Sequence, residues 1–201
     1  VPAGTGLGSS GAFTTALIKA LNAYFNIKDN KELVASYATK IERTTINKSL
    51  GLQDQYASSY GGFNIYKFNK FSTEVSNIKI NKIFRKRLDR NLLLFNTGIY
   101  RKSIAILKNQ NSKIKSDPDI VKKLDRIKEI AKDMHQSIIN ENFYEIGNLL
   151  NEQWLLKKST SSLISNKKID DLIEYGLNNG ASGCKLLGAG AGGFLLFLTK
   201  D

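Results

Sequence analysis

The stretch Val1-Pro2-Ala3-Gly4-Thr5-Gly6-Leu7-Gly8-Ser9-Ser10-Gly11-Ala12 constrains this chain more than any other. Gly4, Gly6 and Gly8 lack a Cβ, so the backbone there can take positive φ angles and turn several N–H groups toward one point. The loop runs into the segment Phe13 to Phe25, where Phe13, Leu17, Ile18, Leu21 and Phe25 recur at three- and four-residue steps among helix-favouring alanines. This spacing predicts a helix with that stripe as its apolar face, capped by Ser9 or Ser10. A helix start carries unpaired N–H groups and the positive end of the macrodipole, so an anion is its natural occupant. One such interaction is worth only about 0.3–1 kcal/mol. A polyphosphate therefore needs several N–H groups and a metal ion.

Gly6-Leu7-Gly8-Ser9-Ser10-Gly11 matches the dinucleotide fingerprint G-x-G-x-x-G by letter. That motif needs a second strand and a ribose-binding acid about 20 residues on. Asp29 has the spacing but sits in a turn signal, Lys28-Asp29-Asn30, followed by another helical pattern. A Walker A loop must end in Gly-Lys-Ser/Thr, and no lysine precedes Lys19. A plain glycine-rich turn without a ligand stays open at this point.

With 201 residues and 41% apolar content the chain can bury a substantial core. No run approaches 18 apolar residues, no leader pattern is present, and the single Cys184 suits a reducing compartment. A cytoplasmic protein with no membrane partner is expected. The net charge of +12 raises nucleic acid as a partner. Of the 30 basic residues 24 are lysines scattered along every helix, however, and the densest cluster, Lys79, Lys82, Arg85, Lys86, Arg87 and Arg90, reads as a solvated helix face. The expectation is no nucleic acid, with excess positive charge steering anionic small molecules.

Asn30 is a plausible cap for a helix from Lys31 to Ile46, with Leu33, Tyr37, Ala38 and Ile41 as its apolar face. The stretch from Gly51 then reads as a short helix ended by Gly61-Gly62, followed by strands over Phe63 to Phe68 and roughly Thr73 to Ile80. Asp54, in the first turn of the short helix, is either a helix-start acid stabilised by the dipole or a general base for a hydroxyl attacking a phosphoryl group. Leu92 to Asn96 reads as a buried strand ending in Thr97-Gly98-Ile99-Tyr100-Arg101, and a helix from Lys102 follows. Asp117 and Pro118 open an amphipathic helix to Asn140, with Ile120, Leu124, Ile127, Ile130, Ala131, Met134 and Ile138 inward. Helices from Phe143 to Lys158 and Lys167 to Leu177 precede a glycine-rich hairpin, Gly180 to Gly193, that leads into the strand Phe194 to Leu198. His135, with no second metal-ligating partner at useful spacing, is expected to be structural.

The run Pro2-x-Gly4-x-Gly6-Leu7-Gly8-Ser9-Ser10 resembles the ATP phosphate loop of the GHMP small-molecule kinases, with Gly11 where that family usually has Ala. Gly51-x-Gln53-Asp54-Gln55-Tyr56, continued by Tyr60-Gly61-Gly62-Phe63-Asn64, resembles the segment that holds the catalytic Asp. It is most similar to that of the heptose 7-phosphate kinases, although Leu52 stands where those usually have Lys. Gly180 to Gly193 resembles the family's third motif. The resemblance implies an α+β fold: the remainder of a ribosomal protein S5-like N-terminal domain over residues 1–75, truncated at its start, and a ferredoxin-like C-terminal domain over 76–201. It implies ATP and Mg²⁺ as cofactors and phosphorylation of a sugar hydroxyl, the anomeric one of a heptose 7-phosphate, with other sugar kinases and a non-catalytic nucleotide- or nucleic-acid-binding module as alternatives. On the same basis Gly4, Gly6, Leu7, Gly8, Ser9 and Ser10 would hold phosphates, Ser10 and Glu42 the metal, and Asp54 would be the base. Gln53, Thr97, Gly98 and Arg101 would face the substrate, and Gly188, Gly190 and Gly192 would form an active-site loop.

Overall fold

The computed structural model describes residues 6–45, 51–99 and 103–200. Gly4 and Arg101, expected to bind phosphate and substrate, lie outside the described residues. The chain is α+β and divides into two units, residues 8–79 and residues 80–200 with 6–7. Among the described residues no helix is long and apolar enough to cross a membrane.

The first unit holds helices α1 (Ser9–Tyr24), α2 (Lys31–Lys40) and α3 (Gln53–Tyr60) and an antiparallel hairpin, β1 (Asn64–Phe68) with β2 (Thr73–Asn77). Asn30 caps α2, accepting from the N–H groups of Glu32 and Leu33 at 3.0 and 3.1 Å. The cap expected for α1 differs. Gly8 at φ 70° occupies that position, no side chain caps the helix start, and the helix begins at Ser9 itself. The inward faces also differ from the periodic stripes. On α1 only Ile18 of the stripe is buried, beside Gly11, Thr14 and Thr15, whereas Phe13, Leu17, Leu21 and Phe25 are exposed. On α2 the buried residues are Val34, Ala35 and Ala38, and Leu33, Tyr37 and Ile41 are exposed. Small side chains let the helices approach closely, and the large apolar face is turned away from that contact.

Two devices seat α3. Glu32 at the start of α2 accepts from the hydroxyls of Tyr56 at 2.7 Å and Tyr60 at 2.9 Å, and Ser59 donates to the Lys31 carbonyl at 2.6 Å. Burial and the adjoining Glu32 carboxylate push the Tyr60 phenol up to about 12, which keeps it a donor. On the other side, Tyr56 meets Phe68 edge-on at 5.4 Å and Tyr60 meets Tyr66 at 6.4 Å between ring centroids, which fastens the hairpin.

The second unit contains α4 (Lys82–Asn91), β3 (Leu92–Asn96), α5 (Ser103–Ser116), α6 (Pro118–Ile139), α7 (Phe143–Ser159), α8 (Lys167–Asn178), β4 (Ala181–Leu186) and β5 (Phe194–Thr199). The strands form an antiparallel sheet in the order β3-β5-β4. Asp117 caps α6 as expected, accepting from Asp119 N–H at 2.9 Å. Trp154, Ile169, Cys184, Leu186, Leu195 and Phe197 belong to one buried core. Cys184 is a buried thiol, and desolvation pushes it up to about 12.

The two sheet edges differ. On β4 the Asn151 amide of α7 donates to Ser182 C=O at 3.0 Å and accepts from Cys184 N–H at 2.9 Å, which satisfies the edge as a neighbouring strand would. Strand β3 was expected to be buried, yet it is an edge strand with Leu93, Leu94 and Phe95 exposed. A continuous apolar run reports a strand with apolar neighbours on offer and not whether both faces are covered. The inward set expected of α6 holds for Ile120, Ile130 and Ile138, while Ala131 is exposed.

Candidate active site

Three elements of the first unit converge on one cluster: the start of α1, the end of α2 and the start of α3. The helix read as Lys31 to Ile46 stops being an α-helix at Lys40 and continues as a π-turn, Ile41–Thr45. A π-turn fits one more residue into the turn and so rotates the downstream residues relative to the α-helical phase. Glu42 lies in it and is fully buried.

Both oxygens of the Glu42 carboxylate are bonded. Oε1 accepts from the Ser10 hydroxyl in a short hydrogen bond and from the Thr14 hydroxyl at 3.2 Å, and Oε2 accepts from Gln55 Nε2 at 2.5 Å. Thr14 lies one turn beyond Ser10, so the two hydroxyls share a face of α1. Gln55 is 2% exposed, and its Oε1 is buried without a hydrogen-bond partner among the described residues. Such a group costs about 1–3 kcal/mol.

Asp54 lies at the mouth of this cluster. A Cβ placed on Gly8 would come 3.2 Å from Asp54 Cγ and 3.5 Å from its Oδ1, so the loop glycine and the carboxyl are in contact. A Cβ on Gly11 would come 3.0 Å from the Asp54 main-chain carbon and 3.1 Å from Gln55 N. The carboxyl is held above the usual carboxylate range, first by desolvation and second by the Glu42 charge. One face of the residue stays open to solvent. A carboxylate in this state is a better proton acceptor than an ordinary surface Asp.

Of the expected site residues, Gly8, Ser10, Glu42 and Asp54 therefore come together. Gly6 is left-handed at φ 80°, Leu7 and Ser9 are half-buried, and Gln53 is exposed at the start of α3. Sequence reasoning missed Thr14 and Gln55 as site residues. For Gln55 the available signal was its place in the Gln53-Asp54-Gln55 run, and for Thr14 its four-residue spacing from Ser10.

In the second unit, Thr97 and the glycine-rich turn between β4 and β5 form one structure. Gly193 C=O accepts from both the main-chain N–H and the hydroxyl of Thr97 at 2.9 Å, and Gly193 N–H donates to Ile99 C=O at 3.1 Å. Gly188, Gly190 and Gly192 all have positive φ, and a Cβ on Gly192 would fall 2.5 Å from the Ile99 carbonyl oxygen. Gly98 has φ 68° and open space around it. The turn thus brings Thr97, Gly98 and Gly192 into one neighbourhood.

The close packing explains Gly11, and its replacement is a test. In Gly11→Ala the added methyl meets main-chain atoms that cannot rotate away, so α1 and α3 separate by a few tenths of an ångström. The helix-propensity gain of about 0.8–1 kcal/mol offsets the crowding. The expected result is a Tm close to that of the parent with a severalfold lower kcat. An unchanged kcat would show that the spacing does not matter.

The model for the GHMP kinases N terminal domain matches residues 1–62, and that for the GHMP kinases C terminal matches residues 120–201. The D-glycero-alpha-D-manno-heptose 7-phosphate kinase of Campylobacter jejuni is 31% identical over 200 residues, which are 99% of this chain and 59% of that protein. The bifunctional fucokinase/GDP-fucose pyrophosphorylase of Arabidopsis thaliana is 29% identical over all of this chain and 19% of its own length. The crystal structure of the Methanococcus jannaschii mevalonate kinase superposes with a TM-score of 0.72 at 25% identity, covering 100% of this chain and 58% of that one. The chain thus spans 59% of the Campylobacter jejuni relative and less of the Arabidopsis thaliana one. Two domain models in the expected order, and relatives aligned from end to end of a chain that carries the loop, acid and glycine turn described above, lead to one family: the chain belongs to the GHMP kinases.

Proposed function

We propose that this chain is part of an ATP-dependent sugar kinase that phosphorylates the anomeric hydroxyl of a heptose 7-phosphate in the cytoplasm. The observation that carries the proposal is the contact of the Asp54 carboxyl with Gly8 at the start of α1, beside the Ser10–Glu42 pair. In this reading the glycines of the loop, Leu7 and Ser9 hold the ATP phosphates at the helix start, where the dipole favours negative charge. Asp54 accepts the proton of the sugar hydroxyl as its oxygen bonds to the γ-phosphorus and the bond to the β-phosphate oxygen breaks. Its raised proton affinity and one open side suit it to that transfer.

Ser10 and Glu42 are the residues that would hold Mg²⁺. They offer one hydroxyl and one carboxylate, hard oxygens of the kind that this ion takes from protein while phosphates and water supply the rest. Bound there, the ion would neutralise charge on the phosphates. Their oxygens are hydrogen-bonded to each other, which puts the two donors side by side. The proposal also gives Gln53, Thr97, Gly98 and the turn glycines Gly188, Gly190 and Gly192 to the substrate side, and it places the division between the family's two domains near residue 75.

The sugar rests on the similarity to the Campylobacter jejuni enzyme and on the Gln53-Asp54-Gln55-Tyr56 run. Leu52, in place of the Lys usual there, and the Arabidopsis thaliana relative support fucose or a similar hexose as the second reading. Steady-state assays of the complete protein with ATP, Mg²⁺ and each sugar separate them. The expected product is a heptose 1,7-bisphosphate, seen as a new anomeric phosphate by ³¹P NMR. Turnover of fucose or galactose with none of the heptose would replace the substrate, and salt-dependent oligonucleotide binding without turnover of any sugar would replace the function.

A further inference from the structure

Gln55 makes an unusual choice for a residue so well buried. Its Nε2 is committed to Glu42 Oε2, and its Oε1 meets no donor among the described residues. A carboxylate only accepts, so the amide must turn its nitrogen toward Glu42 and its oxygen away from it. Packing alone does not call for this arrangement, since a methionine fills the same space without an orphaned oxygen. Ser10 and Thr14, both from α1, grip the other oxygen of the carboxylate. Glu42 is therefore clamped from two sides by two helices, and the α3 side of the clamp is the residue after Asp54.

We infer that Gln55 is a positioning residue: its amide fixes the Glu42 carboxylate against α3 and so sets the separation between that carboxylate and the Asp54 carboxyl. Thr14 is its counterpart on α1, holding Oε1 when the Ser10 hydroxyl is drawn away to another partner. This rests on the kinase reading for its consequence in turnover, but the clamp itself does not depend on any substrate.

The test uses the complete protein with Gln55→Met, Glu42→Met and the double variant. Metal-free thermal unfolding reads the clamp directly. Gln55→Met alone strands a carboxylate oxygen, and Glu42→Met alone strands the Gln55 amide together with the Ser10 and Thr14 hydroxyls, so the double variant loses clearly less than the sum of the two. Additive losses would overturn the inference, because relief of the unpartnered Gln55 Oε1 leaves the single-variant Tm undecided and only the coupling between the two sites reads the clamp. Kinetics give the second readout: Gln55→Met raises the Mg²⁺ concentration for half-maximal rate by about tenfold or more, with the KM for sugar unchanged. A change in the sugar KM with an unchanged Mg²⁺ requirement would also overturn it. Should Gln55→Met fail to fold, Gln55→Glu, of the same size but repelling Glu42, takes its place in the unfolding cycle with the same expected sign of coupling. If the parent phosphorylates no sugar the kinase reading falls, while the unfolding cycle still decides whether Gln55 holds Glu42.

Discussion

Asp54→Asn lowers kcat about a hundredfold or more in the complete protein and, at neutral pH, raises Tm. The first effect comes from removing the carboxylate that meets Gly8 and is open to solvent on one side. The second comes from linkage. Burial and the Glu42 charge raise the Asp54 pKa in the folded state above its ordinary 3.8. The folded protein thus binds this proton more tightly than the unfolded chain does. The resulting stability is fully present below the unfolded value and is lost as pH rises through the folded one. At neutral pH the ionised Asp54 is a net burden on the fold, which a neutral Asn relieves. The Tm gap between variant and parent should therefore narrow as pH falls, and a calorimetric series checks it. Near-normal turnover removes Asp54 from the mechanism, and a gap that widens toward acid contradicts the electrostatics. Loss of activity with gain of stability is the signature of a residue kept for chemistry.

How far the sequence reaches can be judged from particular residues. The start of α6 was legible because Asp117 and Pro118 act on their own helix, within three residues. The hairpin from Gly180 to Phe194 was legible because a dense glycine turn between apolar runs has few other solutions. The stripe of α1 was misread for a different reason. Period 3.6 identifies Phe13, Leu17, Leu21 and Phe25 as one face, but the cover over a face is decided by elements far away in the chain, and here Gly11, Thr14 and Thr15 make the close contact instead. The same holds for β3, whose exposure depends on its place at the sheet edge. Glu42 was reached through resemblance. Its burial depends on a π-turn, which a helical periodicity count does not register, and on a bond from Gln55 thirteen residues away. Local pattern supplied the elements, and the clamp required their packing.

Glu42 should separate two roles that a single substitution would confuse. In Glu42→Ala the hydroxyls of Ser10 and Thr14 and the amide of Gln55 all lose this acceptor. Hydrogen bonds to a charged group are worth about 1.5–3 kcal/mol each, and relief of the buried charge offsets much of the total. A net loss of about 3 kcal/mol corresponds to a Tm lower by about 6–12 °C for a chain of this size. Glu42→Gln behaves differently. Its carbonyl oxygen goes on accepting from Ser10 and Thr14, and its new amide nitrogen faces Gln55, which needs only to flip so that its unpartnered Oε1 becomes the acceptor. The fold keeps its bonds and loses one charge, so Tm should stay within about 3 °C of the parent, roughly 1 kcal/mol. Both variants lack the anionic oxygen proposed for Mg²⁺, so both should need about tenfold more of it, or more, for half-maximal turnover. A Glu42→Gln protein as unstable as Glu42→Ala would mean that the charge itself holds the cluster. Normal Mg²⁺ dependence in both would take the metal away from Glu42 and leave it a purely structural anchor for α3.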